Sequence, residues 1–414
     1  MELSDINLLD RDIFTKGVPH EWFTYLRKNA PVWFHPEPDG GRGFWVITKH
    51  DDVTTVGHDG KLFSSDQNKG GVVMIEDPPE EERRRMEEMT AAAGKLMLMM
   101  DPPEHTRYRK LVNRGFTPRM IKALEPHLRE LTVKILEAAI AKGDSDFVVD
   151  VAAELPLQAI AELIGVPQED RHKIFDWSNR MVGREDPEYA VSDEHLMEAQ
   201  VEMFMYANAL AEERRKDPKG DIISALLAAD IDGDELTVAD FNMFFLLLAV
   251  AGNETTRNAI AHGMNALLDN PDQYAELVAD RSLAPGAVEE ILRWATPVLF
   301  FRRNVTADTE LRGQQLKAGD KVTIWYISAN RDEKAFNDPF TFDVARSPNE
   351  HVAFGGGGPH FCLGANLARM EINVMFDEIL DRYHDLELTG PVSRLRSNFI
   401  NGLKHIPMKF TVKH

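Results

Sequence analysis

Residues 354–364, Phe354-Gly355-Gly356-Gly357-Gly358-Pro359-His360-Phe361-Cys362-Leu363-Gly364, contain the only cysteine of this 414-residue chain. Glycine lacks a Cβ and adopts positive φ easily. The glycine run therefore lets the backbone approach a flat group and lets main-chain N–H groups point at a sulfur atom. A thiolate in such a setting is typical of an axial ligand of haem iron, where it donates electron density and favours O–O cleavage. The alternative is that Cys362 is a small buried hydrophobic residue, as a lone cysteine usually is.

Further segments match the motifs that accompany such a cysteine, in the same order and at similar separations. They are residues 101–109, 251–256, 290–293, Arg303 and 342–346. Taken together, these segments resemble the cytochrome P450 family over nearly the whole chain. Other stretches are similar to bacterial members that hydroxylate the terminal methyl of a cholesterol-type side chain: 154–167, 177–179, 185–189, 249–258 and 401–405. Phe354 is one residue farther from Cys362 than in the commonest family spacing, and this subgroup shares the longer loop.

The resemblance implies the fold and the cofactor. The expected fold is mainly α with a minor β region, a triangular helical prism around haem, with residues 1–414 forming a single haem domain. The cofactor is haem b with Cys362 as the iron ligand, and O₂ is the co-substrate. The propionates would be neutralised by His105, Arg109, Arg303 and His360. Arg302 could substitute for Arg303. The other expected haem contacts are Ala251, Gly252, Phe354 and Gly364.

The motif at 251–256 lies in a long apolar stretch that predicts a helix. Gly252 leaves space there, and Thr255 can bond back to a preceding carbonyl, so we expect a local kink that opens a groove. In that groove Glu254 and Thr255 would route protons to dioxygen. The alternative is that the glycine and the threonine only bend a buried helix. Because an unpaired buried glutamate is costly, its presence favours a function.

Glu290 and Arg293 are three residues apart, on one helical face, and can share an ion pair with Arg346. We expect this group to be structural and to hold the loop that carries Cys362.

Apolar residues at the family's pocket positions predict a dry, elongated substrate site. Such a site gains ~25 cal/mol per Å² of apolar surface buried, enough to hold a sterol or a long isoprenoid. The expected lining residues are Met97, Leu98, Met100, Val250, Val298, Leu299, Phe300 and Phe399.

Three functions are compatible with these residues. The first is hydroxylation of the terminal methyl of a steroid side chain. The second is the same chemistry on a terpenoid or a methyl-branched fatty acyl chain. The third is a haem protein that binds ligand or senses gas without turnover, which Glu254 and Thr255 disfavour because a sensor needs no proton relay.

Electrons must come from separate chains, because no flavin module is visible and one cysteine cannot hold an iron–sulfur cluster. The resemblance implies a ferredoxin and its NAD(P)H-dependent reductase. A cationic cluster near the propionate motif could be a docking patch for an acidic ferredoxin or an ordinary solvated helix face, and the two interpretations have equal weight. Its members are Arg107, Arg109, Lys110, Arg114, Arg119 and Lys122.

Composition narrows the class of protein. A formal net charge of −21 argues against broad binding to nucleic acid or anionic membranes. The longest apolar run, residues 244–252, is far shorter than the ~20 residues needed to span a bilayer. Residues 1–14 lack the features of a signal peptide, and a single cysteine suits a reducing compartment. We therefore expect a soluble cytoplasmic protein without a membrane anchor.

Local patterns predict several element boundaries. Thr117 followed by Pro118 is typical of a helix start, and Gly143 of its end. Thr237 and Asp240 resemble a variant capping box that opens a helix reaching about Leu268. Residues 312–313 and 318–319 predict turns between short strands, and 66–100 predicts a long loop with a helical insert.

Overall fold

The computed structural model describes residues 1–77, 81, 84, 94–113, 116–189, 192–228, 230, 231 and 234–412. Helices account for most of them, which confirms the expected fold class. The α-helices are α1 Arg11–Lys16, α2 His20–Asn29, α3 His50–His58, α4 Glu104–Asn113, α5 Pro118–Lys142, α6 Glu154–Ile164, α7 Arg171–Val182, α8 Asp193–Lys216, α9 Ile222–Leu227, α10 Val238–Asp269, α11 Pro271–Ala279, α12 Ala284–Ala295, α13 Tyr326–Ala329 and α14 Ala365–Arg382. A π-helical segment, Phe147–Ala152, precedes α6.

The strands form one main sheet and several small ones. Their bounds are β1 Val32–His35, β2 Phe44–Ile47, β3 Phe63–Ser64, β4 Ser145–Asp146, β5 Asp230–Ile231, β6 Asp234–Glu235, β7 Phe300–Val305, β8 Thr309–Leu311, β9 Gln314–Leu316, β10 Lys321–Trp325, β11 Tyr383–Leu388, β12 Ser393–Arg394, β13 Leu403–His405 and β14 Pro407–Val412. The main sheet has the order β1-β2-β10-β7-β3, and only β2 and β10 pair in parallel. A three-stranded sheet follows the order β11-β14-β4.

Helix α10 is the centre of the largest hydrophobic core. Its 32 residues extend over ~48 Å at 1.5 Å per residue, and it packs against α6, α7, α8, α12 and α14. The Thr237 hydroxyl accepts the Asp240 N–H at 3.1 Å, as the capping pattern predicts. The Asp240 carboxylate instead accepts the Thr237 hydroxyl proton at 2.6 Å, because aspartate is one methylene shorter than the usual glutamate.

Other predicted boundaries agree with the structure. The Thr117 hydroxyl accepts the Met120 N–H at 3.4 Å, and Gly143 ends α5 with a φ of +82°. Arg312 and Gly313 both have positive φ in the turn that joins β8 to β9. The helical insert expected within 66–100 falls largely on 78–80, 82–83 and 85–93, outside the described residues. Within the described part of the chain, no helix combines the length and apolarity that crossing a bilayer requires.

Candidate functional site

The loop that carries Cys362 lies between α3 and the start of α14. Gly355 and Gly357 have φ values of +98° and +96°, which favour glycine. A Cβ at Gly356 would lie 2.8 Å from the Val53 carbonyl oxygen of α3, so the loop can approach this helix only without side chains. The Cys362 N–H donates to the Phe354 carbonyl at 3.0 Å and closes the loop.

Cys362 is exposed by its solvent-accessible area, but it lies among groups that remove solvent from its thiol. Burial raises the pKa of its thiol, and hydrogen bonds from the backbone of Gly364 and Ala365 oppose that rise together with the charges of Arg109 and Arg369. These N–H groups belong to the N-terminus of α14, where thiolates are stabilised. The donors to sulfur therefore come from the residues after Cys362 and not from the glycine run before it.

Two histidines of the expected propionate set meet in this region. His105 of α4 and His360 of the loop have ring centroids 4.2 Å apart. In the described part of the chain, His105 Nδ1 and His360 Nε2 are buried without a hydrogen-bond partner. Burial lowers the pKa of His105 to about 4 and that of His360 to about 3; Arg109 adds to the first shift, and Arg303 to the second.

Arg302 and Arg303 have different surroundings although they are adjacent on β7. Arg302 donates to Asn304, to the Met74 carbonyl at 3.1 Å and to Asp77 at 3.3 Å. Arg303 is 4% exposed and donates to the Arg302 carbonyl at 2.8 Å, and no described carboxylate lies within ion-pair distance of it. Burial lowers the pKa of Arg303, so its charge requires an anion nearby.

These residues fit a haem group. Arg303 is a buried cation with no carboxylate in ion-pair distance among the described residues, and the two imidazole nitrogens are buried there without hydrogen-bond partners. Arg109 donates to the Pro359 carbonyl at 3.2 Å. Haem propionates would supply the missing acceptors. The Arg369 guanidinium carbon lies over the Phe354 ring, 4.6 Å from its centroid.

In helix α10 the structure agrees with the predicted hydrogen bond of Thr255 but not with the predicted open space at Gly252. The Thr255 hydroxyl donates to the Ala251 carbonyl at 2.9 Å. A Cβ at Gly252 would lie 2.7 Å from Ile160 Cδ1, so the glycine admits α6 and the space beside it is filled. Ala251 is exposed, and Thr255 is half-buried.

Glu254 is buried, and burial raises the pKa of its carboxyl group while Arg257 opposes the rise. It forms an ion pair with Arg257, which donates to Asn179 Oδ1 of α7 at 2.8 Å. Neither Arg257 nor Asn179 is among the predicted site residues, although both lie in the stretches 249–258 and 177–179 that resemble the bacterial subgroup. The three-residue spacing of Glu254 and Arg257 on one helical face was a further signal for Arg257.

The structure brings Glu290, Arg293 and Arg346 together. Glu290 accepts two bonds of 2.7 Å from Arg293 and one of 3.1 Å from Arg346, and the first two residues are fully buried. Arg293 also donates to the carbonyls of Asn330 and Pro339, at 2.8 and 2.9 Å. The network thus ties α12 to the segment that precedes the cysteine loop.

The expected pocket residues divide into two groups. Leu98, Val250, Val298 and Phe399 are half-buried, whereas Met97, Met100, Leu299 and Phe300 are buried. The Phe300 ring lies 4.8 Å from Trp325 and 5.4 Å from Phe399, and Leu299 joins the same core cluster. The Leu299 N–H donates to the Phe399 carbonyl at 2.8 Å, and Val298 pairs with Ile400. Residues 298–300 therefore adjoin residues 399–400, as the prediction that both segments line one pocket requires.

The residues of the cationic cluster differ in solvent exposure. Lys110, Arg119 and Lys122 are exposed on α4 and α5, whereas Arg109 is half-buried and points to Pro359. Arg114 lies outside the described residues.

Comparison with known proteins agrees with this geometry. The family model described as Cytochrome P450 matches residues 157–410. A steroid C26-monooxygenase from Rhodococcus jostii (strain RHA1) is 47% identical over 97% of this chain and 84% of its own length. A methyl-branched lipid omega-hydroxylase from Mycobacterium tuberculosis (strain ATCC 25618 / H37Rv) is 43% identical over 94% of this chain and 90% of its own. The structure of a Mycobacterium marinum cytochrome P450 in complex with pseudoionone has a TM-score of 0.89 and 40% identity, covering 98% of both chains. The chain belongs to the cytochrome P450 family, the monooxygenases that use haem iron and O₂ with electrons from redox partners.

Proposed function

We propose that this cytochrome P450 hydroxylates the terminal methyl group of a steroid side chain. The observation that carries the proposal is the 47% identity, over nearly the whole chain, to a relative named steroid C26-monooxygenase. The relatives are named for oxygenase activities, which disfavours a haem sensor without turnover. We also propose that residues 1–414 form one haem domain, since the M. marinum structure aligns over 98% of the chain.

Cys362 would hold the iron of haem b, and the α14 N–H groups beside it would stabilise the thiolate. His105, Arg109, Arg303 and His360 would bind the propionates. Two observations on the described residues support this role: the histidine nitrogens lack hydrogen-bond partners there, and the Arg303 charge has no carboxylate beside it. Bound haem supplies O₂ cleavage and the insertion of one oxygen atom into an unactivated C–H bond.

Glu254 and Thr255 would hold and move the protons that this chemistry consumes. The Thr255 hydroxyl donates to the Ala251 carbonyl, so its lone pairs remain available to accept a hydrogen bond from a neighbouring donor. Glu254 has one oxygen, Oε1, that lacks a partner among the described residues. Burial raises the pKa of this carboxyl group, so it holds a proton at higher pH than an ordinary glutamate does.

The substrate would be oriented by apolar contact. Half-buried Leu98, Val250, Val298 and Phe399 are the side chains that we assign to direct contact. The buried residues of the set, Met97, Met100, Leu299 and Phe300, would support them from behind.

The relative named methyl-branched lipid omega-hydroxylase, at 43% identity, favours a methyl-branched fatty acyl chain as the second candidate substrate. A terpenoid is a third, because the M. marinum structure holds pseudoionone. All three candidates present a methyl-bearing apolar chain. For electron supply we propose a ferredoxin and its NAD(P)H-dependent reductase, and for location the bacterial cytoplasm.

The test is a ligand panel added to the ferric holoprotein, with the Soret band as readout and mass spectrometry of the products. The panel contains cholesterol, a methyl-branched fatty acid, a terpenoid and testosterone, a steroid that lacks the side chain. We expect cholesterol to shift the Soret band at the lowest concentration and to gain one oxygen atom at a terminal methyl. Equal binding of testosterone, or oxidation on the ring system, would contradict the side-chain assignment. Preferential turnover of the fatty acid or the terpenoid would select that candidate instead.

A further inference from the structure

Two sequence stretches more than 200 residues apart meet at the end of α7. The first is the α7–α8 connection, of which residues 183–189 and 192 are described, and the second is β13. Lys404 of β13 forms ion pairs with Asp186 at 3.1 Å and with Glu188 at 2.6 Å. Asp186 is 1% exposed and also accepts the Arg396 N–H at 2.9 Å. The connection is therefore held to the C-terminal part of the chain by charge.

His405, the next residue of β13, lies between two carboxylates. Its Nδ1 is 2.5 Å from Asp146 Oδ2, and its Nε2 is 2.7 Å from Glu188 Oε1. A carboxylate accepts hydrogen bonds and does not donate them, so both contacts are favourable only when both ring nitrogens carry hydrogen. The geometry is that of an imidazolium that joins β4 to the α7–α8 connection.

The charges around His405 favour its protonated form. Behind Asp146 lies Asp150, which accepts the Asp146 N–H at 2.9 Å and pairs with Lys142 at 2.8 Å. Asp186 and Lys404 flank Glu188. Burial lowers the pKa of His405, but the hydrogen bonds and charges of Asp146 and Glu188 outweigh burial, so the pKa is raised above its ordinary value.

A neutral imidazole keeps one N–H, so one of the two carboxylates then faces a lone pair. Asp146 is held in place because it also accepts the N–H groups of Val148 at 3.0 Å and Ile406 at 3.1 Å. Glu188 is 39% exposed and can turn toward water. Loss of the proton therefore weakens the contact with Glu188 first.

We propose that His405 is a pH-dependent lock on the α7–α8 connection: the protonated ring joins Glu188 to Asp146, and the neutral ring loses its contact with Glu188, which keeps its ion pair with Lys404. Because the folded-state pKa of His405 is raised, the lock contributes fully below the unfolded-state pKa and is lost as pH rises through the folded-state pKa. The connection is then held at acidic pH and is looser at alkaline pH.

Tyr189, the residue after Glu188, connects the lock electrostatically to the candidate proton relay. Tyr189 packs against Gly183, where a Cβ would be 2.7 Å from Tyr189 Cδ2. The Tyr189 hydroxyl lies within the electrostatic reach of Arg257 and Glu254. Release of the connection would therefore loosen the surroundings of that ion pair.

The proposal can be tested without a substrate, by hydrogen exchange on the haem-loaded protein from pH 5.5 to 9, corrected for intrinsic exchange rates. The readout is the protection of peptides that contain residues 183–189, and an NMR titration of His405 gives its pKa. We expect protection to fall with rising pH, by up to about tenfold for each unit by which that pKa exceeds its unfolded value. His405→Gln should show the low protection at every pH.

His127→Gln is the matched control, because His127 contacts a single carboxylate, Glu162, at 2.8 Å on the surface of α5. It should behave as the wild type. Glu188→Gln provides a second variant that removes the partner and keeps the histidine, and it should lower the pKa of His405. Wild-type protection in His405→Gln at all pH values, or a titration of His405 at or below its ordinary pKa, would overturn the proposal.

Discussion

Glu254 and Arg257 form an ion pair within one turn of α10, and both side chains are almost completely buried. Arg257 also donates to Asn179 and lies 5.5 Å from the Phe175 ring, so α7 and α10 share this cation. The pair thereby connects the carboxylate of the candidate proton relay to a second helix of the core.

Arg257→Gln should leave Glu254 buried without its countercharge and destabilise the protein by about 3–5 kcal/mol. Glu254 would then keep its proton to higher pH in the folded state than in the unfolded state. An acid with a raised folded-state pKa binds more protons when folded, so the free energy of unfolding should fall as pH rises. Thermal denaturation between pH 5 and pH 8 measures this slope.

Arg215→Gln is the control for Arg257→Gln, because Glu212 and Arg215 have the same three-residue spacing on an exposed surface. It should cost about 0–1 kcal/mol, with little change in slope. The double variant Glu254→Gln/Arg257→Gln should recover part of the lost stability. If it is as unstable as Arg257→Gln, the uncompensated charge is not the cause.

Thr255→Ala and Glu254→Gln should reduce product formation by roughly 10²-fold and divert electrons to hydrogen peroxide, with haem content unchanged. The reason is the loss of the hydroxyl or the carboxyl group that we assign to proton transfer. The measurement is the ratio of product to NAD(P)H consumed. Wild-type ratios in both variants would exclude the relay.

Cys362→Ala should lose the thiolate signature, because Cys362 is the only cysteine of the chain. The ferrous carbonyl complex of the wild type should absorb at the red-shifted position that thiolate ligation produces. A histidine-type spectrum in the wild type, or a thiolate spectrum in the variant, would contradict the ligand assignment.

Arg303→Gln should release haem about 10- to 100-fold faster than the wild type, because hydrogen bonds to charged groups contribute about 1.5–3 kcal/mol. Transfer of haem to apomyoglobin measures the rate. Arg302→Gln is the control: it should lower thermal stability by removing the Asp77 contact while leaving haem release unchanged. Faster release from Arg302→Gln than from Arg303→Gln would reverse the assignment.

Lys110→Glu and Arg119→Glu should slow reduction of the protein by an acidic ferredoxin. The difference in rate from the wild type should shrink as the salt concentration rises, because screening limits the range of interactions between exposed charges to ~8 Å at physiological ionic strength. Stopped-flow reduction of the ferric protein measures the rate. Lys317→Glu, an exposed lysine in the turn between β9 and β10, matches the change in net charge. Equal rates in all three variants would place docking elsewhere.

Local sequence determined several features before the fold was known. The cap at Thr237 predicts the start of α10, and Arg312 with Gly313 predicts the turn of β8 and β9, because the responsible contacts join residues close in the chain. The single cysteine and its glycine run likewise indicate the ligand loop. The order of the motifs indicates the family, and with it the fold class and the chemistry.

Tertiary structure alone decided which neighbour each side chain meets. Arg302 and Arg303 are the same residue type, but adjacent residues of a strand point to opposite faces. Among the described residues Arg302 contacts the carboxylate of Asp77, whereas Arg303 contacts none. Gly252 faces Ile160 of α6, and Phe300 faces Trp325, because helix and sheet packing brings those residues there. Contacts between segments far apart in the chain depend on packing of the whole core, and no local pattern encodes them.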